Sequence, residues 1–314
     1  MNFQQLRYVR ETVRQGLNLT EAAKKLHTSQ PGVSKQIREL ENELGVEIFV
    51  RHGKRIIALT EPGKAVVEVV EHLLQEAENL KQIGREFRDQ AAGTLTIATT
   101  HTQARYSLPK VVSAFKRRYP KVKLVIHQGN PTQICEQVLA GEADFCVATE
   151  MIALYADIVS MPVYQWNRCV VVLPKHPLLK AGPLTLEKLA QYPIVTYDFA
   201  FANRSLVQKA FEAKGLNPNV VLTALDADVI KTYVELGLGI GILAKMAFNP
   251  ARDRTLRAID ASHLFESSTT RLGIKRGAYL RRYAYEFIEL FAPHLPRNIV
   301  EPAVMGEEGS RYEL

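Results

Sequence analysis

The run NLTEAAKKLHTSQPGVSKQIRELENELGVEIFVR, residues 18–51, decides the fold of the amino-terminal part of this 314-residue chain. Asn18 stands three residues before Glu21, the spacing of a capping box, and Leu19, Ala22, Ala23 and Leu26 then make a short apolar face whose alanines let a neighbouring helix approach closely. His27 and Thr28 turn the chain. Ser29 is a good N-cap, and Pro31 falls in the first helical turn, where a missing backbone N–H costs little. A helix therefore begins there, with Val33, Ile37, Leu40 and Leu44 spaced by four, three and four along its buried side. Upstream, Phe3, Leu6, Val9 and Val13 recur at helical spacing until Gly16, so residues 2–14 form another amphipathic helix.

The other face of the third helix carries Gln30, Ser34 and Arg38, with Lys35 beyond them. A helix docked on two others, with hydrogen-bonding and cationic groups on its N-terminal half, has what the major groove requires of a recognition helix. Gln30 and Arg38 suit base edges. Ser34, Lys35 and the helix N-terminus formed by Thr28, Ser29 and Pro31 suit phosphates. Taken singly, each is an ordinary solvated position; together, inside a three-helix frame, they point to double-stranded DNA. Residues 47–59 alternate apolar and basic side chains around Gly53, which reads as a hairpin or wing presenting Arg51, Lys54 and Arg55 to backbone phosphates.

Thr60, Glu61 and Pro62 combine an N-cap, an acidic first turn and an early proline, and announce a further helix. Running from Pro62 to about Asp89, it spans roughly 42 Å at 1.5 Å per residue. Val66, Val70, Leu73, Ala77, Leu80 and Phe87 form a three-and-four seam with Gly84 as its weak point. The seam packs either on its own domain or on a second copy as a dimer stalk; the stalk is preferred, because a sixty-residue head has little surface against which to bury so long a stripe.

Lys and Arg number 40 against 33 Asp and Glu, a net charge of +7. Residues 1–60 hold ten basic and six acidic side chains, as a polyanion-binding head would. With 46% hydrophobic and 23% charged residues the composition is that of an ordinary globular protein of about two domains. The longest apolar stretches, 169–173 and the glycine-broken 236–244, fall far short of the roughly 18 residues of a membrane span. The polar start lacks the features of a secretory signal, so a cytoplasmic, membrane-free location is expected. Cys135, Cys146 and Cys169 show no metal or redox spacing and read as buried free thiols.

Beyond Gly93 the pattern changes to short apolar runs alternating with helical segments. Strands are expected at 94–98, 124–127 and 145–148, with helices near 103–119 and 131–139, then further strands at 168–173, 194–196, 220–225 and 240–243. Two α/β lobes, each with a mostly parallel, helix-covered sheet, are the natural reading. Ligands of such sheets sit beyond the carboxyl ends of strands, where helices present their N-termini. Thr100, His101, Thr102 and Gln103 fall at such a junction, and Thr149 ends the next strand of the same lobe. Threonine hydroxyls, a glutamine amide and backbone N–H groups make a neutral cradle for a sulfate-like oxyanion; capping and strand-end duty is the plainer alternative.

Residues 22–26, 28–41 (TSQPGVSKQIRELE), 44–45 and 49–51 closely resemble the head of the LysR-type transcriptional regulators. The segments TTHTQARY (99–106), QGNPTQI (128–134) and DADVIKTY (226–233) are similar to the CysB-like, sulfur-assimilation branch of that family. The resemblance covers residues 2–297. It implies an α/β protein with a winged helix-turn-helix (1–60), a linker helix (61–92) and a two-lobed, periplasmic-binding-protein-like effector domain (93–297). Lobe one would hold 93–161 and 268–297, lobe two 162–267, and residues 298–314 a tail. It further implies that Thr100, Thr102, Gln103 and Thr149 contact the anion and that Trp166 lies near the inducer site. Ala202 stands where the family often has threonine, and Asn203 or Ser205 would compensate. The partners implied are promoter DNA, an effector such as N-acetylserine, O-acetylserine, sulfate or thiosulfate, further copies of the chain in a dimer of dimers, and RNA polymerase.

No cofactor, metal or catalytic residue is expected. Gly237, Gly239 and Gly241 lack the remainder of a dinucleotide fingerprint and read as a turn. His101 and His127 have no partners at metal-ligand spacing, and Asp226 and Asp228 read as helix caps. An enzyme of sulfur metabolism is disfavoured, as is a solute-binding protein, which would share the two lobes but not the basic head. Control of sulfonate or sulfate-ester use is the alternative within the class.

Overall fold

The computed structural model describes residues 1–53, 55–88, 92–198 and 206–306; Lys54, Ala202, Asn203 and Ser205 lie outside them. The chain divides into two compact units, Met1–Phe87 and Arg88–Leu314.

In the first unit, α1 (Phe3–Arg14) opens with a full capping box: the Asn2 side chain accepts from the N–H groups of Gln4 and Gln5, and Gln5 returns the bond to the Asn2 backbone. Asn18 caps α2 (Leu19–Lys25). Ser29 caps α3 (Gln30–Leu44), which ends at Gly45 in the left-handed conformation. Leu6, Val9, Leu19, Ala23, Val33, Ile37 and Leu40 meet in the core with Ile48 and Phe49. Two expected core residues are outside it: Phe3 is 54% and Leu44 41% exposed. Both lie on the right side of their helices but at the outer end, beyond the reach of the neighbours. Tyr8 and Thr12 complete the buried face of α1 instead.

The wing is β1 (Phe49–His52) paired antiparallel with β2 (Arg55–Leu59). It leads into the 28-residue helix α4 (Glu61–Arg88), where Thr60 Oγ1 accepts from Gly63 N at 2.8 Å. Only glycine fits at 63, since a Cβ there would lie 2.0 Å from the Ile48 carbonyl oxygen. The seam of α4 divides. Val70 and Leu74 sink into the head's own core, while Val69, Leu73, Leu80 and Phe87 face outward.

In the second unit β3 (Gly93–Thr99), β4 (Val122–Gln128) and β5 (Phe145–Ala148) run parallel, with α5 (Leu108–Arg118) and α6 (Pro131–Ala140) between them. After β6 (Ile158–Trp166) the chain crosses to lobe two, which contains β7 (Arg168–Val172), α7 (Leu186–Leu189), β8 (Ile194–Tyr197), α8 (Leu206–Ala213), β9 (Val220–Ala224), α9 (Ala227–Glu235), β10 (Ile240–Ala244) and β11 (Arg257–Asp260). It returns as β12 (Ser268–Lys275), followed by α10 (Arg282–Phe291) and α11 (Arg297–Met305). The strand orders are β4-β3-β5-β12-β6 and β11-β7-β10-β8-β9. The sheets are mixed, not mostly parallel: β12 runs antiparallel to both its neighbours, as does β7.

The expected lobe boundaries change in two places. The outward crossing comes after Trp166, not near residue 161, because β6 stays paired with β12 from Ile158↔Lys275 to Trp166↔Ser268. Residues 298–305 are not a bare tail. They belong to α11, whose Val300, Ala303 and Val304 recur at helical spacing and enter the lobe-one core. The three cysteines are buried and free. Gly237 makes the expected turn at a φ of +82°, whereas Gly239 is held by close packing, with Pro193 O 2.1 Å from where a Cβ would stand. No helix among the described residues is long and apolar enough to cross a membrane.

Asp144, just before β5, accepts from Thr96 N at 2.7 Å. Burial pushes its carboxyl up to about 6, outweighing the Thr96 N–H and the Arg281 charge. Between the ordinary aspartate range and that value the folded chain holds more protons than the unfolded one, so this group's contribution to stability falls as pH rises. Asp144→Asn, which keeps an acceptor for Thr96 N, is therefore expected to raise the thermal midpoint at pH 7.5. The gain shrinks on acidification and vanishes below about pH 4; calorimetry across that range checks it.

Candidate functional site: a DNA-facing helix and an interlobe cleft

On the head, the cap and core residues of α3 fix which of its sides is free. Lys35 and Arg38 are exposed, as are Thr28, Ser29, Pro31 and Arg55, while Gln30 and Ser34 are half-buried. Lys35 lies 3.8 Å from Glu39, an exposed pair of little strength. Arg51 is placed differently from Arg55: its guanidinium is 2.7 Å from the Glu41 carboxylate, which is 6% exposed. Glu41 also accepts from Ile48 N and Phe49 N, so Arg51 is a structural tie of the wing before it is a phosphate ligand. The expected role of Lys54 falls on a residue outside the described ones.

In the second unit, a cavity of about 710 Å³ opens between the lobes. Thr100, His101, Thr102, Gln103, Thr149 and Trp166 all line it. Lobe two contributes Thr196, Tyr197 and Asp226. After β3 the chain takes a wide π-helical turn, Gln103–Ser107, before α5, an irregularity often found at functional sites.

The hydrogen bonds redistribute the expected roles. Gln103 is buried and its amide is committed within lobe one: Nε2 donates to Thr270 Oγ1 at 2.9 Å, and Oε1 accepts from Tyr164, whose hydroxyl also meets Ser107 Oγ. It shapes the cradle and is not a free ligand donor. Thr102 bonds Tyr197 of lobe two, whose phenol burial pushes up to about 12. Thr149 starts its turn without a side-chain capping bond. His101 Nδ1 and Trp166 Nε1 are buried and have no hydrogen-bond partner among the described residues.

Asp226 caps α9 through Val229 N at 2.8 Å, as expected. Asp228, expected to cap as well, lies inside the first turn of α9 and serves another purpose. It takes the Tyr106 hydroxyl at 2.6 Å, Arg105 at 2.5 Å and Lys231 at 3.0 Å, tying the two lobes. Burial alone would raise its carboxyl, but the bonds from Tyr106 and Lys231 hold it below the usual range. His101, Asp226 and Asp228 bring ligand-type atoms within 4.8 Å of one another, a grouping that sequence spacing gave no hint of. Arg105 and Lys231 already supply the positive charge at Asp228.

Sequence reading also missed Arg168, Tyr164, Tyr197 and Thr270. The available signal for Arg168 was a cation heading the apolar run CVVVL. It is 8% exposed and lines the cavity.

Residues 3–64 match the profile of the bacterial regulatory helix-turn-helix protein, lysR family, and residues 88–296 match the LysR substrate binding domain. The chain is 58% identical over 314 residues to the HTH-type transcriptional regulator CysB of Burkholderia cenocepacia, covering 100% of both chains. It is 59% identical over 295 residues to the regulator SsuR of the same organism, covering 94% of this chain and 96% of that one. Among solved structures, the cofactor-binding domain of the Cbl transcriptional regulator superposes with a TM-score of 0.66 at 43% identity, covering 68% of this chain and 94% of that one.

Proposed function

Because the chain belongs to the LysR family, which are transcriptional regulators and not enzymes, we propose that it controls sulfur-assimilation and cysteine-biosynthesis genes in response to a small sulfur-related anion or an acetylated serine held between its lobes. The head binds promoter DNA through α3. The observation that carries the effector reading is the 710 Å³ cavity, lined by Thr100 and Thr149 and by the buried Trp166 Nε1 donor and His101 Nδ1, neither of which has a hydrogen-bond partner among the described residues. Unused buried donors are costly and find their acceptor in a ligand. The sulfur assignment is supported by the segments 99–106, 128–134 and 226–233 and by the similarity to CysB. Control of sulfonate or sulfate-ester use is the second reading, supported by the equal likeness to SsuR.

Linkage supplies the mechanism. Thr102–Tyr197 and the Asp228 tie join the lobes, so a ligand that prefers one lobe arrangement shifts the population of assemblies on DNA. The outward stripe Val69, Leu73, Leu80 and Phe87 on α4 pairs with a second copy, and two such dimers make the tetramer. RNA polymerase is the further partner of the DNA-bound form.

Calorimetric titration of the full-length protein with sulfate, thiosulfate, N-acetyl-L-serine and O-acetyl-L-serine tests this. At least one binds, and Thr149→Ala weakens it about two- to tenfold, the worth of one hydrogen bond of about 0.5–1.5 kcal/mol. An isotherm unaltered by the substitution would count against the site.

A further inference from the structure

Arg168 is the first residue of β7, and its guanidinium lines the interlobe cavity at 8% exposure. Among the described residues its two terminal nitrogens donate to neutral acceptors, Glu266 O at 3.0 Å and Ser268 Oγ at 2.8 Å. Its carbon lies 5.1 Å from the centre of the Trp166 ring. Among the described residues no carboxylate forms an ion pair with it, although Glu150 and Glu266 are near enough to act on it electrostatically. Burial pushes the guanidinium below its ordinary value, and those two carboxylates and Tyr197 only partly offset this. A buried cation with no carboxylate in direct contact is costly, and its usual resolution is an anion that makes that contact. Trp166 Nε1, buried and without a partner among the described residues, sits two positions earlier on the same cavity wall.

We propose that Arg168 and Trp166 form a second, cationic subsite of the cleft that takes the carboxylate of the effector, leaving the hydroxyls of Thr100 and Thr149 for its uncharged end. The assignment rests on the reading of this cavity as the effector site. The planar guanidinium fork matches a carboxylate's two oxygens, and the indole N–H supplies a third donor without adding charge. The place of the subsite also gives it leverage. Arg168 follows the outward crossover at Asn167, its acceptors lie on the returning crossover, and Trp166 pairs with Ser268 where the two run side by side. A carboxylate drawing on the guanidinium therefore acts on both connections between the lobes.

The test compares N-acetyl-L-serine with its uncharged amide, N-acetyl-L-serinamide, and with sulfate, by calorimetry on the full-length protein. Wild type is expected to prefer the acid over the amide at least twentyfold. In Arg168→Gln that preference falls to within threefold while amide affinity is kept, which also shows the pocket intact; Arg168→Lys retains part of it. Preference for the acid persisting in Arg168→Gln overturns the subsite, as does wild type binding sulfate but treating acid and amide alike; in both cases the anion-sensing cleft itself survives. Wild type binding none of the three removes the cleft reading and the subsite with it.

Discussion

Ser34→Glu is expected to lower binding to a specific promoter duplex more than a hundredfold at fixed salt, and Arg38→Ala roughly ten- to a hundredfold, with the thermal midpoint of both variants unchanged. Arg38 is exposed, and the opposite side of α3 carries the core through Val33, Ile37 and Leu40, each fully buried. Removing the arginine therefore touches binding and leaves packing alone. A well-placed contact to a base edge discriminates by about 1–3 kcal/mol, which sets the size of the Arg38 effect. Glu at position 34 adds a negative charge to the face that approaches the phosphates, where each cation–phosphate contact contributes to the salt-dependent affinity. Fluorescence anisotropy with a specific and a scrambled duplex separates the two terms: Arg38→Ala narrows the gap between them, Ser34→Glu weakens both. Wild-type affinity in either variant would remove α3 from the groove.

Local chemistry was the legible part of the sequence. Asn18, Ser29 and Thr60 cap the helices they were expected to cap, and β5 and α6 lie where alternation placed them. Periodicity identifies a helix side but not how far the neighbours extend along it, so Phe3 and Leu44 were expected in the core and are exposed. The end of β6 was hidden because Pro162 and Gln165 break an apolar pattern that the pairing with β12 nevertheless continues. Pro302 disguised α11 in the same way. The cleft residues could be named from a strand–helix junction, yet their partners could not. Gln103 meets Thr270 across 167 positions, Tyr106 meets Asp228 across 122, and neither spacing leaves a trace in local pattern. Charge burial is nearly as silent: Arg168 heads an apolar run, but that pattern does not say whether its guanidinium is buried or reaches solvent.

Glu41→Ala is expected to destabilise the head by about 3–5 kcal/mol, the usual consequence of removing one partner of a buried ion pair. Glu41 is 6% exposed and satisfies three donors at once: Ile48 N at 2.9 Å, Phe49 N at 3.2 Å and the Arg51 guanidinium at 2.7 Å. Alanine leaves two backbone N–H groups without acceptors where the wing begins, and a cation whose side chain is 19% exposed without its counter-charge. Glu41→Gln keeps an oxygen for the N–H groups and loses only the charge, so its effect is smaller. Because Gly63 packs against the Ile48 carbonyl, loosening this corner also frees the start of α4. Hydrogen exchange at the Ile48 and Phe49 amides of the full-length protein reads the change directly, and protection at the wild-type level in Glu41→Ala would refute it. The same geometry separates Arg51 from the cations expected to meet phosphate. Substituting Arg51 should lower the head's stability in step with the weaker DNA binding, whereas a residue such as Arg55, exposed and on the wing, should weaken binding and flatten its salt dependence without a loss of stability.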